Sequence, residues 1–186
     1  MKNTWTGTLF SAQADGPALT AAAAASMLPA SNNMKRAIGP EYFDTVGREF
    51  RFEASGRCST VITSPGTLRF DLRLGGTVIW DSGAIALDTT AAKTNMPWRL
   101  RVDLTLRAIG TNANFMGSGE LLWEGVAGSP TGGAKGVAPA VLPWNTAPVV
   151  GGNVDLSVAQ TFDAFFTQTV ATGSLTLHQA RLVSLD

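Results

Sequence analysis

"PWRLRVDLTLRAIG", residues 97–110, decides the fold. Trp98, Leu100, Val102, Leu104, Leu106 and Ala108 share one parity, and Arg99, Arg101, Asp103, Thr105 and Arg107 take the other. A period of two sends the two sets to opposite faces of a strand, whereas a helix would scatter both around its circumference. Such alternation marks an antiparallel strand with one face on a core and one in water. The charged set is therefore a solvated sheet face. Asp103 interrupts the arginines, and the chain balances 14 basic against 14 acidic residues, which argues against a nucleic-acid stripe.

The same period recurs outward from this stretch. In 47–60, Phe50, Phe52 and Ala54 alternate with Glu49, Arg51, Glu53 and Ser55. "SPG" at 64–66 marks a turn. In 67–83, Leu68, Phe70, Leu72 and Leu74 oppose Arg69, Asp71 and Arg73, and Gly75-Gly76 predicts a hairpin returning through "TVIW". A Thr/Ala-rich loop covers 89–96. Residues 112–125 read as a strand pair or one long bulged strand, and 127–153 as a long loop with a short strand near "AVLPW". Strands at 154–170 and 173–186, with a turn at 169–173, finish the pattern. Only 17–28 looks helical, because of the alanines at 21–25, and Pro29 would stop it.

About eight strands with closely spaced turns and almost no helix call for an all-β barrel or two-sheet sandwich. Long loops and uneven strands favour a jelly-roll-like antiparallel β-sandwich. An immunoglobulin-like sandwich competes, though a single cysteine rules out its disulfide landmark. The expected organisation is an N-terminal arm, 1–44, containing the short helix, followed by one sandwich domain, 45–186. Its core is expected to hold Phe50, Phe52, Leu68, Phe70, Leu72, Leu100, Val102, Leu104, Phe162 and Leu177.

With 186 residues the chain can fill one core. Zero formal net charge with 15% charged and 45% apolar residues removes general steering toward nucleic acid or an anionic membrane. It also leaves surface that prefers a protein neighbour, so an oligomer is expected. Lone Cys58 excludes an intrachain disulfide and a multi-cysteine zinc site, and it is expected in or near the core. No run reaches the length of a membrane span, and the opening "MKNTWTGTLFSAQ" does not read as a secretory signal.

Chemistry-bearing constellations are scarce. The single histidine, His178, sits opposite in parity to Leu175 and Leu177, with no nucleophile or carboxylate at a suggestive local spacing; distant partners such as Asp71 or Asp163 stay open. The aspartates at 15, 44, 71, 81, 88, 103, 155, 163 and 186 are too dispersed for a calcium loop. "GGAKG" at 132–136 lacks the spacing of a phosphate-binding loop. Glu120 and Glu124 are the first candidates for a glycosidase carboxylate pair, with Trp123 as sugar platform. Trp123 has the opposite parity, which argues against a shared groove. The tryptophans at 5, 80, 98, 123 and 144 are expected mainly in core or interface packing. No catalytic, cofactor or metal residue is assigned.

"PGTLRFDLRLGGTVIWDSGAIAL", "TTAAKTNMPWRLRVDLTLRAIG", "MGSGEL" and the closing "AQTFDAFFTQTVATGSLTLHQARLVSLD" together resemble small virion proteins of tailed bacteriophages and prophages, across roughly residues 40–186. The resemblance implies a non-enzymatic virion structural protein, a capsid decoration or head-spike component held by protein–protein contacts. By analogy with virion jelly-rolls it implies a homotrimer contacting other virion proteins. The alternative is a tail-associated receptor-binding or carbohydrate-binding module. No cofactor, nucleic acid or membrane is expected as a partner, and carbohydrate is admitted as a ligand.

Overall fold

The computed structural model describes residues 6–30, 34–35, 37–127 and 139–185. Two antiparallel sheets face each other across a shared hydrophobic core. The strands, in chain order, are β1 (Gly7–Ser11), β2 (Ala25–Ser26), β3 (Ala37–Ile38), β4 (Glu49–Thr60), β5 (Thr67–Leu74), β6 (Thr77–Asp81), β7 (Ile85–Ala86), β8 (Lys93–Ala108), β9 (Ala113–Leu122), β10 (Ala140–Leu142), β11 (Gly151–Val154), β12 (Gln160–Gln168) and β13 (Ser174–Ser184). The larger sheet runs β1-β13-β4-β8-β9-β10, with β11 also on β9. The smaller runs β2-β12-β5-β6, with β3 on β12 and β7 on β5.

The alternation of 97–110 is realised in a 16-residue strand, β8, that already begins at Lys93 within the expected loop: Trp98, Leu100, Val102, Leu104 and Leu106 are buried, and Arg99 faces water. All ten residues expected in the core are buried there. The hairpin at Gly75-Gly76 forms between β5 and β6, with Gly75 at φ 59°, where a Cβ would be strained. Residues 113–122 form one strand, β9, and the short strand near "AVLPW" is β10. The hairpins β5–β6 and β8–β9 each stay within one sheet, and the whole is an all-β, two-sheet antiparallel sandwich.

The helix expected over 17–28 is absent. Leu19 bridges to Leu175, and β2 pairs with Phe165 and Phe166 of β12, so both ends of the segment are drawn into sheets. Ala21 to Ala24 are exposed and offer no apolar stripe to bury; so short a helix does not persist on propensity alone. Within 1–44, β1 forms the edge of the larger sheet beside β13, and Phe10, Met27, Leu28, Met34, Ile38 and Phe43 lie in the core. "SNN" at 31–33, "GGAKG" at 132–136, Trp5 and Asp186 lie outside the described residues.

Two glycines fix how closely the sheets approach. The inward row Leu182–Phe52–Val102–Gly119 crosses β13, β4, β8 and β9, and Ala164–Leu72–Trp80 crosses the facing sheet. Gly117 and Gly119 of "MGSGEL" leave a slot that the Trp80 indole fills; a Cβ on Gly117 would stand 2.5 Å from Trp80 Cδ1.

Candidate functional site

Phe50, Phe52, Ala54 and Cys58 of β4 and the even-numbered residues 98–106 of β8 are buried, so the odd-numbered residues between them form the outer face of the larger sheet. Register arranges them in cross-strand rows. Arg181–Glu53–Arg101–Glu120 runs across β13, β4, β8 and β9 with alternating charge, and Val183–Arg51–Asp103–Ser118 lies beside it. Arg181 is ion-paired to Glu53, Arg51 Nε donates to Asp103 Oδ1 at 2.6 Å, and Arg101 Nη2 donates to Asp103 Oδ2 at 3.0 Å. Opposite charges facing across strands contribute about 0.2–1 kcal/mol each, so these rows tile the face more than they hold the fold.

The next row, Gln179–Ser55–Arg99–Leu122, contains no carboxylate. Arg99 is exposed and has no hydrogen bond or ion pair among the described residues. Arg57, which faces Pro97 one diagonal step away on the same side, is in the same state. Ser55 Oγ reaches Gln179 Oε1 only at 3.5 Å. Arg99, Gln179, Ser55, Ser11, Glu53 and Arg181 line an open groove of about 430 Å³.

A bulge in β13 shapes this region. Its register against β4 slips between Leu177 and Gln179. Leu177 and Ala180 are both buried, so His178 and Gln179 both stand on the outer side. Bulges re-aim side chains in this way. Gly56 admits it, since a Cβ there would run into the Thr176 carbonyl oxygen. His178 Nδ1 lies 2.9 Å from Asp15 Oδ1, an exposed pair at the end of the groove's strands.

The other sequence candidates are placed apart. Asp71 and Asp163 lie on the outer face of the smaller sheet, on the opposite side of the sandwich from His178. Asp71 is almost fully buried and ion-paired to Arg73, whose guanidinium stacks 3.7 Å from the centre of the Phe165 ring. The hydrogen bond from Arg73 to Asp71 raises the guanidinium above its ordinary pKa. Asp163 accepts from Ser26 Oγ at 2.6 Å and from Ala164 N at 2.8 Å, and meets Lys35 Nζ at 3.0 Å. Glu120 faces Arg101, while Glu124 lies in the turn beyond β9. Trp123 is buried with no partner on Nε1, so it is no sugar platform. Trp80 and Trp98 are likewise buried, and Trp144 packs half-buried on the core.

Cys58 is buried in the core, and desolvation pushes its thiol up to about 12. Asp88 and Asp155 accept hydrogen bonds from the hydroxyl and backbone N–H of Thr90 and Ser157, which holds both carboxyls below their ordinary value. Among the described residues no three His, Cys, Asp or Glu side chains converge to hold a metal ion. The groove itself escaped the sequence reading. Its one legible sign is the parity break in "LTLHQARL", where buried Leu175 and Leu177 are followed by buried Ala180 and Leu182.

No protein-family model matches the chain, and no curated protein does. Among solved structures, the CBM2 module of the evolved Dit of Lactobacillus casei BL23 phage J-1 is similar over 81% of this chain and 68% of that chain. The identity is 10% and the TM-score 0.29, a likeness that extends to neither family nor function.

Proposed function

We propose that the chain is a non-enzymatic structural protein of a bacteriophage particle, whose sandwich serves the tail as a receptor-binding or carbohydrate-binding module. The observation that carries this reading is the groove on the larger sheet: a carboxylate-free row beside two charge-paired ones, with Arg99, Gln179 and Ser55 open to a ligand. A rigid sheet is a suitable base, because it holds polar groups at fixed spacing without an ordering cost on binding. The titratable groups that might serve chemistry have structural occupations instead. Cys58 is held as the thiol, Asp71 and Asp163 are bound into ion pairs, and Asp88 and Asp155 tie down turns. The resemblance of 40–186 to small virion proteins supplies the particle.

Attachment to the capsid, as a decoration or head-spike protein, is the second reading. Val141 on β10 and Val149 and Val150 before β11 favour it, being 71%, 73% and 48% exposed at one end of the larger sheet. Exposed apolar side chains at a sheet edge suit a protein neighbour, including two further copies in the expected homotrimer. Screening the purified chain on a glycan array and on intact host cells tests the first reading. Binding that is lost when groove residues are replaced supports it; full binding to particles lacking tails, with no glycan or cell binding, overturns it in favour of the second.

A further inference from the structure

We infer that the outer face of the larger sheet recognises an acidic saccharide, one carrying carboxylate or phosphate groups, through Arg99, which lines the groove, and Arg57, which lies diagonal to it on the adjacent strand just outside the groove's lining; this rests on the carbohydrate-binding reading above and narrows its ligand. The charge pattern of the face carries it. Arg51, Arg101 and Arg181 each have a carboxylate partner on a neighbouring strand or their own. Arg99 and Arg57 have none among the described residues, and their cross-strand neighbours are Ser55, Leu122, Pro97 and Thr176. Two guanidinium groups diagonal to each other on adjacent strands repel, and among the described residues no carboxylate is paired with either. An anion bridging them removes that repulsion and takes paired N–H donors, the geometry in which arginine binds carboxylate and phosphate best.

The surroundings fit a sugar carrying the anion. Gln179 supplies an amide with both donors and acceptor, Ser55 and Ser11 supply hydroxyls, and the Glu53–Arg181 pair closes the far side. The bulge opposite Gly56 is what turns Gln179 toward the groove with His178 beside it. The groove of about 430 Å³ is large enough for a saccharide.

The test measures binding of the full chain to three immobilised probes: a galacturonic-acid oligosaccharide, a glycerol-phosphate oligomer and a neutral galactose oligosaccharide. The expected result is binding to at least one acidic probe, weakened by salt, and tenfold or more weaker in both Arg99→Met and Arg57→Met, with thermal unfolding unchanged. Which acidic probe binds distinguishes carboxylate from phosphate. Equal binding of the neutral probe, or acidic binding untouched by either substitution, overturns this inference while leaving a carbohydrate module standing. Binding to none of the three, together with a blank glycan array, overturns both.

Discussion

Single residues in this sandwich are explained by what surrounds them, and several can be tested alone. Cys58 was legible as a core residue from its parity, but its chemical inertness comes from the packed neighbours that exclude water. Its thiol is raised from an ordinary 9.0 to about 12. The unfolded chain therefore ionises first as pH rises above 9, and stability falls progressively between there and 12. At pH 8 the folded protein should resist iodoacetamide and react fully once denatured; rapid labelling of the native state would contradict the burial. Gly117→Val should cost about 1–3 kcal/mol in urea denaturation, because it drives a side chain into Trp80 and Leu104. Arg73→Met strands the carboxylate of Asp71, whose side chain is 4% exposed, and should cost about 3–5 kcal/mol, whereas Arg99→Met should leave stability unchanged. No sequence pattern announces the Arg73 arrangement, since Phe165 and Asp163 reach it from a strand about ninety residues away.

Elements show where sequence reading succeeds and where it stops. Long strands such as β4, β5, β8 and β12 were legible where one face is buried at successive alternate positions; residues 93–96 of β8, none of which is buried, read as loop. Two-residue strands β2, β3 and β7 were not, because two residues cannot display a period. Propensity misled at 17–28, where sheet pairing at Leu19 and Ala25–Ser26 overrides the helix preference of exposed alanines. The boundary expected near residue 44 can be tested on the same grounds. Removing 1–40 takes Phe10, Met27, Leu28, Met34 and Ile38 out of the core, five side chains worth about 1.5–3 kcal/mol each. That sum rivals the about 5–15 kcal/mol that holds a domain together. The truncated chain should therefore be unfolded or aggregated by circular dichroism and gel filtration; a cooperative thermal transition would show that 45–186 folds without those strands.

At the scale of the whole molecule, the two outer faces differ. The smaller sheet carries a network in which Lys35, Asp163, Arg73 and Asp71 satisfy one another, and Arg69 is paired with Asp81. The larger sheet is paired along two rows and open along the third. Fold class was legible because the long strands repeat the same local rule. The groove was not, because it is assembled from β1, β4, β8 and β13, whose neighbourhood is set by long-range register. The proposed function assigns attachment to the finished face and ligand binding to the unfinished one. Cryo-electron microscopy of intact phage particles tests that most directly. The account predicts copies of the chain at the tail, with the outer face of the larger sheet and its Arg99 groove turned away from the particle. Particles without the chain, or copies whose groove is packed against a neighbouring virion protein, would contradict it.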